Sequence, residues 1–284
     1  MVGLILLFFG LAVYSQLPQI LSYHWEFEPT YLSLAFVLLM VRGPVVVYGW
    51  WAIIRRLGYV LPFRKSIRII FHSALARYLP GQMWYAVSRV YLAEKEGVPK
   101  TVTAVSLGLE TALIVASAGV VACLSLLAWP DAPLWAGIVA LALLISLMVQ
   151  PRLFLGSLNW GLARLKRQPI DAEISRLDML RLLVPFMLNW LLYGLMSFAL
   201  TASLYPSLPL SAVPAVTGLF TAAWLIGFLA IIFPQGLLIR EGLIFTFLTT
   251  LLGVPPPVAT AAAVLSRGFT MVGEGIWALV ATRL

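Results

Sequence analysis

Charge is scarce in this chain: 11% of its 284 residues are Asp, Glu, Lys or Arg, where a soluble domain carries roughly 25%. Cysteine is scarcer still. A single Cys123 lies in an apolar run, which excludes an intrachain disulfide and makes a thiolate metal site implausible. His24 and His72 are the only histidines, far apart and without a His-Glu-x-x-His neighbourhood. No Gly-rich phosphate loop, Ser/His/Asp set or paired-carboxylate motif is present, so no catalytic residue, metal ligand or cofactor is expected. The longest polar stretch, 151–181, is too short for a catalytic domain.

What the chain has in excess is apolar surface: 62% hydrophobic residues and a mean hydropathy of +0.98. The apolar runs have helical length and lack the alternation of barrel strands. The expected class is therefore an all-α polytopic membrane protein. The net charge of +8 raises the question of nucleic acid. The basic residues cluster at membrane edges instead, as the positive-inside rule predicts, so no nucleic-acid partner is expected.

Taken in order, the spans read as 2–21, 30–54, 101–129, 134–149, 182–204 and 258–282. The first lacks a basic n-region and a small-residue cleavage site, and reads as a retained span. The loop 22–29 carries Glu26 and Glu28 and no Lys or Arg, whereas Arg55, Arg56, Arg64, Lys65 and Arg68 follow the second span. By the Lys/Arg rule that side is cytoplasmic, and the N-terminus with it. The link 57–68 reads as a loop, and 151–181 as a cytoplasmic segment with an interfacial helix.

Two stretches break the pattern. Tyr78-Leu79-Pro80-Gly81-Gln82-Met83-Trp84 interrupts an apolar run flanked by Arg77 and Arg89, and Phe233-Pro234-Gln235-Gly236-Leu237 does the same before Arg240-Glu241. Proline lacks an N–H and glycine costs order, so each should break a helix. Arms 69–79 and 82–95 are each too short for a core needing about 20 residues, and read as a re-entrant hairpin. Residues 213–233 and 237–252 read as a second. Each hairpin is followed by Gly-Val-Pro, at 97–99 and 253–255, and then by a span with a charge inside it. Glu110 lies eleven residues after Pro99, and Arg267 twelve after Pro255.

The expected architecture is thus about six full transmembrane helices plus two re-entrant hairpins in an inverted repeat, with halves at 1–129 and 133–284. Each half makes three crossings, which inverts the second, brings the hairpins in from opposite faces and returns the C-terminus to the cytoplasm. Residues 213–233 are also long enough to span fully, which would put the C-terminus outside.

Charges at membrane depth are costly and mark function, pairing or snorkelling. Arg77, Arg89, Arg240 and Arg267 are the candidate ligands for an anionic headgroup, because a guanidinium is a planar fork of donors. Gln82, Tyr85 and Ser88 offer hydrogen bonds beside them, and Tyr78, Trp84 and Tyr91 either line a headgroup path or form an interfacial belt. Arg240-Glu241 reads as an ion-pair partner of Glu110 or Arg267, and Glu110 could alternatively couple transport to protons. Pro80, Gly81, Pro234 and Gly236 serve backbone geometry. Glu274 reads as a solvated edge group, and Arg42, beside Gly43-Pro44, as either cavity-lining or snorkelling.

These residues resemble the two signatures of the lysylphosphatidylglycerol synthase transmembrane-region (flippase-like) family. The first is carried by Tyr78–Trp84 with Arg89-Val90-Tyr91-Leu92 and Glu96-Gly97. The second is carried by Phe233–Leu237 with Arg240-Glu241-Gly242 and Leu252-Gly253-Val254-Pro255. The likeness extends in span layout over the whole chain. The family includes the flippase part of proteins that aminoacylate phosphatidylglycerol, and stand-alone members near glycosyltransferases and isoprenoid-lipid pathways. The resemblance implies a stand-alone member without the synthase domain, and movement of a lipid rather than aminoacyl transfer. Gln82 stands where many relatives carry a basic residue, and Thr111 where relatives often carry arginine after the glutamate.

Three functions are therefore weighed. One is a lipid flippase or transporter of the plasma (inner) membrane, moving a phospholipid or an isoprenoid-phosphate-linked headgroup while the tails stay in the bilayer. Another is a non-transporting membrane partner that presents a lipid to a glycosyltransferase or lipid synthase. The third is a membrane-embedded enzyme acting on lipid phosphate.

Overall fold

Apolar runs without strand alternation fold as helices throughout the residues that the computed structural model describes, namely 18, 21–78, 83–127, 134–148, 156, 164, 175–230, 236 and 238–284. In chain order the helices are α1 (Pro29–Arg56), α2 (Phe63–Leu75), α3 (Trp84–Lys95), α4 (Lys100–Leu126), α5 (Leu134–Met148), α6 (Arg176–Leu204), α7 (Val213–Leu229), α8 (Ile239–Leu252) and α9 (Pro256–Ala281). Short 3-10 turns, Ala76–Tyr78 and Leu210–Ala212, follow α2 and precede α7. Among the described residues there is no strand. Four stretches among the described residues are long and apolar enough to cross a bilayer: α1, α4, α6 and Leu210–Leu229. The protein is an integral membrane protein built of helices.

Several boundaries differ from those read off the sequence. The link expected at 57–68 is shorter, because α2 begins at Phe63. Ile67, Ile70, Phe71 and Ala74 fall on one helical face and are buried, while Arg64, Lys65 and Arg68 are exposed. The apolar periodicity carries the helix back through the basic residues, which lie at its surface. Helix α6 begins six residues before the expected span. Its start is held by a reciprocal cap: the Asp178 N–H donates to Ser175 Oγ at 3.1 Å, and the Ser175 N–H to Asp178 Oδ2 at 3.2 Å. Most of the span expected at 2–21 and of the segment 151–181, and Pro80, Gly81, Gln82 and Pro234, lie outside the described residues.

Helices α2 and α3 pack on each other, as do α7 and α8. With 13 and 12 residues, α2 and α3 are each shorter than a bilayer core requires. In the second pair only α8, with 14 residues, is short. Leu210–Leu229, at 20 residues, is long enough to cross.

The two Gly-Val-Pro turns are built alike. Gly97 and Gly253 have φ of 85° and 62°, the left-handed region that ends helices at glycine. The Val98 and Val254 N–H groups donate back to Ala93 O and Leu248 O, five and six residues earlier, both at 3.0 Å. The carbonyls of Pro99 and Pro255 then accept from Thr103 and Ala259, again at 3.0 Å, and start α4 and α9.

The chain divides into two compact units. One comprises the described parts of Met40–Val120, Pro133–Trp190 and Gly273–Leu284, and contains Arg89. Its core joins Val47, Trp50 and Ile54 of α1 to Ile67, Ile70 and Phe71 of α2, with Ala93, Ala278 and Ala281. A second cluster joins Ile53 to Leu109 and Leu113 of α4 and to Leu182 and Phe186 of α6. Pro44 lies inside α1 and cannot donate to the carbonyl four residues back, that of Met40. Trp277 Nε1–H takes over that carbonyl at 3.2 Å. The indole stacks on Phe71, with centroids 5.5 Å apart. It lies so close to Gly43 that a Cβ there would fall 2.2 Å from Nε1.

The other unit comprises the described parts of Met1–Leu39, Val121–Ala132 and Leu191–Val272, and contains Arg240. Small residues bring its helices together: Gly194 of α6 faces Thr217 of α7, and Gly218 faces Ser125 of α4. Gly236, with φ of 63°, lies against the backbone of Gly227 at the end of α7.

Candidate functional site

Among the described residues, each unit holds one fully or nearly buried arginine, on the second helix of its packed pair. Arg89, on α3, is 1% exposed. Its Nε–H donates to Ser73 Oγ of α2 at 3.1 Å, and Nη1–H to Glu110 Oε2 of α4 at 2.9 Å. Nη2–H donates to the hydroxyl of Tyr85, one turn earlier on α3. The guanidinium also lies 4.6 Å from the Tyr85 ring centroid and 5.3 Å from that of Trp50. The Trp50 indole N–H is held by Ser106 Oγ at 3.0 Å. A buried ion pair survives only where further hydrogen bonds complete it, and Ser73 and Tyr85 do so here.

A second pair lies in the same unit. Arg77, in the 3-10 turn after α2, donates through Nη1 to Glu274 Oε1 at 3.0 Å, and Tyr78 donates its hydroxyl to Glu274 Oε2 at 2.8 Å. Arg77 lies 4.7 Å from the Tyr85 ring, so that ring contacts two guanidiniums. Glu274 is therefore not the solvated edge group expected from the sequence. The 3-10 turn brings two donors onto its carboxylate, which is 16% exposed. Arg42 donates to Asn189 Oδ1 at 2.8 Å. Ser88 is half-buried beside Arg89 and joins none of these bonds among the described residues.

In the other unit, Arg240 and Glu241 open α8 and face Ser266 and Arg267 of α9. Arg267 Nη1–H donates to Glu241 Oε1 at 2.7 Å. The other oxygen, Oε2, accepts the Leu238 N–H at 2.9 Å, so Glu241 folds back on the start of its own helix. Leu238 has φ of 74°, a conformation leucine rarely adopts. Of the two partners expected for the Arg240-Glu241 doublet, Arg267 pairs with Glu241, and Glu110 pairs with Arg89 instead.

Arg240 is 8% exposed and differs from the other three arginines of these networks. Its Nη2 donates to Tyr193 Oη of α6 at 2.7 Å and to Ser266 Oγ at 3.1 Å. The guanidinium lies 5.9 Å from the Tyr193 ring. Its Nε is buried without a partner, and no carboxylate lies within ion-pair distance among the described residues. A cation at the N-terminus of a 14-residue helix adds to the positive end of the helix dipole.

The sequence singles out the four arginines, Glu110 and Glu241, places Glu274 at an edge, and gives no place to Tyr193, Ser266, Ser73 or Trp50. Nothing in the spacing of these four residues marks them. No curated protein and no solved structure matches the chain. The family model of the lysylphosphatidylglycerol synthase TM region matches residues 1–277 of its 284, and the chain belongs to that family.

Proposed function

We propose that the protein moves a lipid with an anionic headgroup across the bilayer, and that Arg240 is the cation that takes the headgroup. Its family is one of membrane proteins with lipid-related function. The observation that carries the reading is the state of Arg240: buried, held by two hydroxyls, and without a carboxylate among the described residues. An unpaired buried charge costs several kcal/mol, so a counter-anion is the partner that would relieve it. A phosphate or other oxyanion suits the planar donor fork and the helix N-terminus. Arg77, Arg89 and Arg267 already have carboxylates, so first contact with the headgroup falls to Arg240.

The same reading takes α2–α3 and α7–α8 as re-entrant hairpins of a duplicated half, 1–129 and 133–284. The alike Gly-Val-Pro turns support this, and the length of Leu210–Leu229 is the feature that departs from it. Arg55, Arg56, Arg64, Lys65 and Arg68 would face the cytoplasm.

Reconstitution with fluorescent phosphatidylglycerol tests the function. Arg240→Ala should lower transbilayer movement at least about tenfold, the effect of losing roughly 1.4 kcal/mol of headgroup interaction. Arg240→Lys should recover part of it, because the charge returns without the fork. Parent-like transport by well-incorporated Arg240→Ala protein would refute the assignment. Arg240-dependent binding without transport would instead favour presentation of the lipid to a glycosyltransferase or lipid synthase.

A further inference from the structure

The two buried arginines have nearly the same surroundings. Arg89 bonds a serine hydroxyl (Ser73), a tyrosine hydroxyl (Tyr85) and lies 4.6 Å from that tyrosine's ring. Arg240 bonds a serine hydroxyl (Ser266), a tyrosine hydroxyl (Tyr193) and lies 5.9 Å from that tyrosine's ring. One polar component differs, beside the Trp50 ring that lies 5.3 Å from Arg89. At Arg89 a carboxylate oxygen of Glu110 completes the set at 2.9 Å. At Arg240 no carboxylate does so among the described residues, and Nε is left over. These tyrosines and serines come from different positions in their units: Tyr85 precedes Arg89 on α3, whereas Tyr193 comes from α6. The shared feature is therefore the chemistry around the guanidinium.

We infer that the Arg89 centre is a second anion-binding site, held shut by Glu110 as a built-in substitute for the anionic group of the ligand. The inference rests on the reading of Arg240 as a headgroup site, and extends it to a second centre of the same ligand chemistry. A carboxylate fixed on α4 has a high effective concentration at Arg89 and excludes a free or lipid-borne oxyanion. Removing its charge leaves a cation with two hydroxyl partners, the condition in which Arg240 is found.

The test is calorimetric titration of detergent-solubilised full-length protein with dihexanoyl phosphatidylglycerol, a soluble short-chain lipid, and separately with inorganic phosphate. The parent should bind at one site, abolished by Arg240→Ala. Glu110→Gln should gain a second site, which Glu110→Gln/Arg89→Ala loses and Glu110→Gln/Arg240→Ala keeps. Glu110→Asp, one methylene shorter, should gain it more weakly. Each gained site should raise the thermal midpoint with added ligand. Gain with the short-chain lipid alone identifies a headgroup site, and gain with both ligands a general oxyanion site. A folded Glu110→Gln protein with no added site overturns the inference. So does failure of both Glu110 variants to fold, because Glu110 would then be a structural partner of Arg89. Persistence of the parent's site in Arg240→Ala refutes the transport reading instead, and the two failures are read from different variants.

Discussion

Gly236→Ala should be among the most damaging single-methyl additions in the protein. Two costs act at once. The φ of 63° is in the left-handed region, where a residue with a Cβ pays about 1–2 kcal/mol. A Cβ built there lies 2.6 Å from both Cα and O of Gly227 and 2.7 Å from its C, well inside the 3.5–4.0 Å of a normal contact. The obstacle is the backbone of α7, which cannot turn aside as a side chain could, so overpacking adds about 1–3 kcal/mol. Together the expected loss is about 2–5 kcal/mol. The damage should reach the candidate site, because a Cβ built on Gly227 would also lie 3.3 Å from Arg240 Cβ. Separating these segments shifts the start of α8 and the guanidinium with it.

The assay is unfolding in mixed micelles, with stability extrapolated linearly to zero denaturant. Gly242→Ala is the control. It lies in α8 with nothing within 4 Å of its built Cβ, so alanine should be neutral or stabilise by up to about 1 kcal/mol. If Gly236→Ala and Gly242→Ala prove equal within about 0.5 kcal/mol, the close approach of Gly236 to Gly227 is refuted.

Two further perturbations test the networks. Glu241→Gln gives one amide oxygen where two donors, Arg267 and the Leu238 N–H, each need an acceptor. Breaking a buried pair costs about 3–5 kcal/mol, and Arg267 is 20% exposed, so about 2–4 kcal/mol is expected. A double-mutant cycle with Arg267→Gln should return a coupling of at least about 1 kcal/mol, and a coupling near zero would contradict the pair. Trp277→Phe keeps a ring against Phe71 but orphans the Met40 carbonyl, at an expected cost of about 1–3 kcal/mol. In a Pro44→Ala background the helix can bond that carbonyl itself, so the cost of Trp277→Phe should fall. An unchanged cost would mean that the indole N–H contributes nothing there.

The charges of the site were legible because an apolar chain makes each one conspicuous. Arg77, Arg89, Glu110, Arg240, Glu241 and Arg267 all stand out against their neighbours, and the Gly-Val-Pro turns show where two helices fold back. Their pairings were less legible. Glu241 with Arg267 follows from order along the chain, since both flank the second turn. Glu274 with Arg77 does not, because 197 residues separate them and a 3-10 turn decides where Arg77 points. Tyr193, Ser266 and Ser73 gave no signal at all. Hydroxyl residues are ordinary in membrane helices, where they bond the carbonyl a turn earlier, and nothing in their spacing marks the ones that also meet a guanidinium. Ser266 does both: it donates to Ala263 O at 2.8 Å and accepts from Arg240.

The turn that follows each packed pair imposes the same electrical problem and receives opposite answers. Across the first, the cation Arg89 precedes and the anion Glu110 follows; across the second, Glu241 precedes and Arg267 follows. Either polarity ties the second helix of the pair to the helix after the turn, so a clasp alone does not require Arg240. Neutralising Glu241 needs one arginine, and Arg267 supplies it. A further buried cation beside a finished pair lowers stability unless something anionic shares its surroundings, by the same desolvation cost that makes lone charges rare in membranes. Selection for folding alone would favour a neutral residue at position 240, with Tyr193 and Ser266 bonded elsewhere. An external anion is the explanation we propose for the arginine there.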